Sequence, residues 1–209
     1  GDRLPFSNHA LEVLFITQPD EAQFGALPDV IERYDVGVVI DQGQPNLGEA
    51  YKALQAKLAT HPIINARAGY SLTTDDGVRI EALNPTTQPG LADSLDRNAL
   101  VLRLSYGAVS FLLTSELSTA GQEALMKSGK GITALVLQIP QQGAIHTLEA
   151  EFVQAVAPQI AIVQGDNPDP DTLSLVGDVP VYRTDQGGTI DLSSDGTNLW
   201  ITPEKRPRE

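Results

Sequence analysis

Four short runs of this chain are apolar almost without interruption: residues 11–17 (LEVLFIT), 36–40, 135–139 and 160–163. A strand with one wet face alternates polar and apolar residues; these do not, so each predicts a strand buried on both faces. Helical stretches separate them. The first spans about 22–34, with Phe24, Leu27, Val30 and Ile31 on one face; others span 48–59, 119–128 and 148–157, with Ser118 placed to cap the third. A short strand is expected near Ile63-Ile64, and a short helix within 169–176.

The middle third is organised differently. Asp75-Asp76-Gly77 is a turn signal between 70–73 and 78–83, and Tyr106-Gly107 separates 100–105 from 109–114, so two antiparallel hairpins are expected. A loop rich in proline and threonine covers 84–97. Three short strands close the chain near 181–183, 188–192 and 198–201, with Asp195-Gly196 marking the last hairpin. Strand–helix alternation at both ends, with hairpins between, predicts an α/β fold of two stacked sheets with helices outside, a four-layer αββα sandwich. A single doubly wound sheet is the alternative, and the central hairpins count against it. One domain, 1–203, followed by a charged tail, 204–209, accounts for all 209 residues.

Composition limits the chemistry. There is no cysteine, which removes disulfides, thiolate metal sites and cysteine nucleophiles together. His9, His61 and His146 are the three histidines and are far apart, a poor supply for zinc. Lys and Arg number 14 against 27 Asp and Glu, a net charge of −13. A phosphate-binding surface wants clustered cations. The basic cluster here is the tail Lys205-Arg206-Pro207-Arg208, which reads as a solvated terminus. Arg67, Arg79, Arg97 and Arg103 could serve DNA only if the fold gathers them. No run of about 18 apolar residues is present. The start, Gly1-Asp2-Arg3-Leu4-Pro5, has neither the basic region nor the apolar core of a signal peptide. Without an initiator Met, the chain is expected to be a piece of something larger.

Chemistry in such folds sits in loops after the strands. Those loops read TQPDEAQFGA from Thr17, LLTSE ending at Glu116, LQIPQQGA ending at Ala144, and NPDPDTL from Asn167. They resemble, in order, the motifs T-H-P-D-A-D-H-x-G-G, L-L-T-G-D, L-x-V-P-H-H-G-S and H-P-H-P-E-x-L of the metallo-β-lactamase-fold domain of ComEC, the competence protein of bacterial DNA uptake. Flanking stretches match as well, including 27–41, 98–114 and 181–185, so the resemblance runs from about residue 4 to 201.

The resemblance implies a metallo-β-lactamase-type αββα sandwich lacking its first strands, whose exposed sheet edge could self-associate. It also implies the places of a two-metal (zinc or manganese) hydrolytic site: Gln18, Asp20, Ala22, Gln23, Glu116, Gln141, Gln142 and Asp169. Only Asp20 keeps a family residue there. A hydrolytic zinc pair needs ligands that hold the ions and leave a position for water. Glutamine offers a neutral, weak oxygen, and alanine nothing. The expectation is therefore a vestigial site, no metal cofactor and no catalytic residue. The polar stretch before the central strand is Asp96-Arg97-Asn98-Ala99. His146, a few residues past the glutamine pair, is expected on the surface rather than in the old site. The implied role is a non-catalytic domain, scaffold or DNA guide, of a ComEC-like membrane protein. It would be tethered to the outer face of the bacterial membrane, with the channel portion of the same polypeptide and DNA as partners. The alternative is a divalent-metal nuclease or phosphodiesterase using only Asp20, Glu116 and Asp169, with Mg²⁺, Mn²⁺ or Ca²⁺ as the ion.

Overall fold

The structure, a computed structural model, describes residues 9–205. The start of the chain and the basic residues Arg206 and Arg208 of the tail lie outside them. The first third runs β1 (Ala10–Ile16), α1 (Glu21–Phe24), α2 (Leu27–Arg33), β2 (Asp35–Asp41), α3 (Glu49–Leu58) and β3 (Ile63–Asn65). β4 (Ser71–Thr73), β5 (Arg79–Asn84), β6 (Val101–Tyr106) and β7 (Val109–Leu113) form the middle. Then come α4 (Thr119–Lys127), β8 (Val136–Gln138), α5 (Ala150–Val156), β9 (Ile160–Val163), α6 (Pro170–Ser174) and β10 (Val181–Arg183). α7 (Thr184–Gly187), β11 (Ile190–Ser194) and β12 (Leu199–Pro203) complete the described chain.

The single helix expected over 22–34 is two. Gly25 caps α1 with its N–H on the Glu21 carbonyl, and α2 restarts with Pro28 in its first turn, where a missing N–H costs nothing. The expected hairpins form: β4 pairs antiparallel with β5, β6 with β7, and β11 with β12. The runs read as doubly buried pair in parallel, β1 with β2 and β8 with β9. Ser118 caps α4 by accepting from the Gly121 N–H at 3.3 Å.

β1, β2 and β3 make a three-stranded parallel sheet, and β10-β9-β8-β7-β6-β5-β4 a seven-stranded mixed one. Three apolar clusters show the layering. Val36 and Val39 of β2 pack with Phe24, Tyr51, Leu54 and Leu58, a helix layer over the smaller sheet. Ile40 meets Ala82, Leu100 and Leu102, which joins sheet to sheet. On the far face Val101, Leu112, Leu137 and Ala161 pack under Leu125 of α4 and Phe152 and Val156 of α5. The order is helix, sheet, sheet, helix, the expected αββα sandwich. β1, β2 and β6 contribute residues to the clusters on both their faces, as Val101 and Leu102 do, whereas β8 and β9 give Leu137, Ala161 and Val163 to one cluster only.

The β11–β12 hairpin docks by its tip. Ala108 N–H donates to the Gly196 carbonyl at 2.7 Å, and a side chain on Gly107, at φ +57°, would collide with that carbonyl. Of the four arginines, Arg79 and Arg103 come together on one face of β5–β6, both beside Glu81, while Arg97 adds its charge beside Glu123.

Candidate functional site

The loops after β1, β7, β8 and β9 meet at one rim, held together by a chain of hydrogen bonds. Ser115 Oγ donates to Thr17 Oγ1 at 2.9 Å, and the Gln141 N–H to the Ser115 carbonyl at 3.2 Å. Gln138, at the end of β8, accepts from the Thr114 and Ser115 N–H groups through Oε1 and donates to Gln164 Oε1 at 2.8 Å. Asp169 N–H reaches the Gly143 carbonyl at 2.8 Å. Ser115, Gln141 and Gln142 all hold positive φ, 52°, 48° and 57°. Each costs roughly 1 kcal/mol or more outside glycine, so the turns are held by their surroundings.

The side chains at the expected positions mostly bond to one another. Gln18 is buried, 1% exposed, and its Nε2 donates to Asp96 Oδ1 at 2.6 Å. Its Oε1 is buried and has no donor. Asp20 caps α1, accepting from the Ala22 N–H at 2.9 Å, and Ala22 points no polar group anywhere. Gln23 Nε2 donates to Glu116 Oε1 at 3.1 Å, and Gln141 Nε2 to the Glu116 carbonyl at 3.1 Å. Gln142 stands near enough to favour the charged form of the Glu116 carboxylate.

Asp169 does not share a cluster with Asp20 and Glu116. Its carboxylate is taken by Thr172, from the N–H at 2.8 Å and from Oγ1 at 2.9 Å, and these bonds hold its pKa below the ordinary range. His146 lies on the Asp169 side of the rim, near enough to help lower the Asp169 pKa. The acid that does face Glu116 is Asp96, from the loop before β6. Burial, then the Asp96 charge and, further down, that of Asp20, push the Glu116 carboxyl above its ordinary range. His9 lies against Tyr34 at the start of β1 and His61 follows α3, both away from the rim.

A raised carboxyl pKa means that the folded chain keeps its proton to higher pH than the unfolded chain does. Stability is therefore lost as pH rises from the ordinary value of 4.5 through the raised one. Glu116→Gln is expected to raise the melting temperature at pH 7, with the gain shrinking towards pH 4. Thermal melts at both values check this; a loss at pH 7 contradicts it.

This donor set does not fit a dinuclear hydrolytic centre. Zinc pairs want imidazole and bridging carboxylate, and here four amides, an alanine and three carboxylates stand at those positions, two of them (Asp20 and Asp169) capping helices. Among the described residues, no three His, Cys, Asp or Glu side chains are disposed to share one ion.

The chain is 30% identical over 190 residues to ComE operon protein 3 of Bacillus subtilis, a match covering 86% of this chain and 24% of that protein. It is 32% identical over 88 residues to Competence protein ComA of Neisseria gonorrhoeae, covering 42% and 12%. The chain thus spans about a quarter of the length of the first of these relatives. No family model matches. Similar solved structures include CmlA, a diiron β-hydroxylase from Streptomyces venezuelae, with a TM-score of 0.48 at 15% identity over 78% of this chain and 36% of that one. Another is a putative zinc-dependent hydrolase of the metallo-β-lactamase superfamily from Thermotoga maritima, with a TM-score of 0.36 at 17% identity over 67% and 69%.

Proposed function

We propose, because this chain is a ComEC-like domain of the metallo-β-lactamase fold, that it works by contact rather than by chemistry. In this reading it is a non-catalytic module of a longer competence-type membrane polypeptide, placed on the outer face of the membrane. There it is a scaffold for the membrane-embedded part, or a guide for DNA entering it. No helix among the described residues is long and apolar enough to cross a membrane, so attachment falls to other parts of that polypeptide.

One observation carries the reading: most of the polar side chains left at the hydrolytic positions are engaged with a neighbour. Gln18 holds Asp96, Gln23 holds Glu116, Gln141 holds the Glu116 carbonyl and Asp169 holds Thr172. Catalysis at such a rim would need an ion to lower the pKa of water to about 7, and these contacts leave no imidazole to hold it. Between the two contact roles, docking is favoured over DNA guiding. The net charge is −13, and Arg79, Arg103 and Arg97 each stand beside an acid, Glu81 or Glu123.

The test is a nuclease assay on single- and double-stranded DNA with Mg²⁺, Mn²⁺ and Zn²⁺, run on the native chain and on Asp20→Ala and Glu116→Gln variants. No metal-dependent cleavage above the protein-free blank is expected from any of them. Cleavage by the native chain that both substitutions abolish would replace this reading with a carboxylate-only nuclease.

A further inference from the structure

A hollow of about 530 Å³ opens at the carboxyl end of the smaller sheet, between the loop after β2, α3 and β3. None of the eight rim positions lines it. Residues ahead of β1 join the sheet at its other end. Ala10 pairs there with Asp35, whereas Asp41 lies at the far end of β2, about 20 Å along the strand. β2 also separates β1 from β3.

Asp41 stands in the wall of this hollow. It follows Val39 on the helix-covered face of β2 and is 9% exposed. Its Oδ1 accepts from the Gly43 N–H at 2.8 Å, and the buried Tyr51 hydroxyl stands near enough to favour its charged form. Among the described residues Asp41 has no ion pair. Lys52, the one cation among the described residues lining the hollow, is bonded to Glu49 at 2.7 Å instead. Aspartate is almost never buried without a partner, because an isolated charge costs far more to desolvate than a paired one. Burial pushes the Asp41 carboxyl up; burial and then the Asp41 charge push the Tyr51 phenol up to about 12. The rest of the wall includes apolar side chains open to solvent: Leu47 is 64% exposed and Ile63 44%.

We propose that this hollow binds an aliphatic primary ammonium group on a short apolar stem, with the charge on Asp41 and the stem against Leu47 and Ile63. An ammonium brings three donors and no acceptor, so it can serve Asp41 together with the carboxamide oxygens of Asn65 and Gln55, which share the lining. A metal ion suits the hollow less. It wants several oxygen ligands, a single carboxylate is offered, and a hydrated ion gains nothing from Leu47 and Ile63. The ammonium can belong to a free amine or to a lysine side chain, which present the same chemistry. This site stands or falls on amine binding, and the non-catalytic reading of the rim on DNA cleavage.

The probe is n-pentylamine at neutral pH, titrated into the chain and followed by amide chemical shifts. Saturable shifts at Gly43, Tyr51 and Asn65, with a millimolar Kd, are expected. 1-Pentanol, the same stem without the charge, should bind at least about tenfold more weakly. Asp41→Asn keeps an oxygen for the Gly43 N–H but loses the charge, and should weaken pentylamine at least about tenfold. Leu47→Ser should weaken it severalfold, with thermal melts confirming that both variants fold. Nα-acetyl-lysine amide binding as tightly as pentylamine supports a protein side chain as the source of the ammonium; binding about tenfold weaker supports a free amine. No saturable shift at these amides overturns the proposal, as does equal binding of 1-pentanol or binding indifferent to Asp41→Asn.

Discussion

Replacing Gln122 with leucine is expected to destabilise the chain by about 3–5 kcal/mol, although leucine is the better helix former and fills nearly the same volume. Gln122 sits in α4 at 0% exposure. Its Nε2 donates to the Thr147 carbonyl at 2.7 Å and the Leu117 carbonyl at 3.3 Å, and its Oε1 accepts from the Glu149 N–H at 3.0 Å. Leucine leaves these backbone groups buried and unpaired, at about 1–3 kcal/mol each. For a domain of this size that lowers the melting temperature by roughly 10 °C.

The same side chain positions the rim. Thr147 Oγ1 donates to the Ala144 carbonyl, just past the Gln141–Gln142 turn, Thr172 Oγ1 comes within 3.0 Å of the same carbonyl, and Leu117 follows Glu116. A loosened turn should therefore show as faster amide exchange at Gln141 to Ala144. Lys127→Ala, which breaks an exposed pair with Glu123, is the comparison and should shift stability by under about 0.5 kcal/mol. Equal effects from the two substitutions would contradict the account.

Gln122 also marks where sequence reading stops. In the sequence it is one polar residue in an amphipathic helix; its partners lie as far away as Glu149, 27 residues on. Asp96 is the same case at longer range. It belongs to a polar stretch before β6, and only folding brings it to Gln18, 78 residues away. Nothing local announces that it replaces Asp169 as the acid beside Glu116.

What depends on local pattern was legible. Apolar runs placed β2 and β9, and Asp-Gly signals placed the turns before β5 and β12, because strand packing and positive φ leave marks in the sequence itself. The break between α1 and α2 was marked too, by Gly25 and Pro28. It was masked by Phe24, Leu27 and Ile31, which keep helical spacing across it and all pack into one cluster. α7, four residues long, is too short for any period to show.

The second large effect concerns the rim. The chain in which Gln18, Gln23, Gln141, Gln142 and Asp169 become histidine, and Ala22 and Glu116 become aspartate, should bind zinc at least about a hundredfold more tightly than the native chain. Thiolate-free zinc sites depend on imidazole and carboxylate donors in fixed geometry. The loops that would present them are already crosslinked through Ser115, Gln138 and Gly143. If the scaffold keeps the geometry of a metallo-β-lactamase-type site and lacks only its donors, supplying the donors should restore binding. Several changes act together here, so single substitutions should recover little.

The native chain itself gives the most direct test. Equilibrated with excess Zn²⁺ or Mn²⁺ at neutral pH, passed over a desalting column and analysed for metal, it should retain well under a tenth of an ion per chain. Retention of one or two ions per chain, lost in the Asp20→Ala and Glu116→Gln variants, would contradict the account and make the rim a working metal centre.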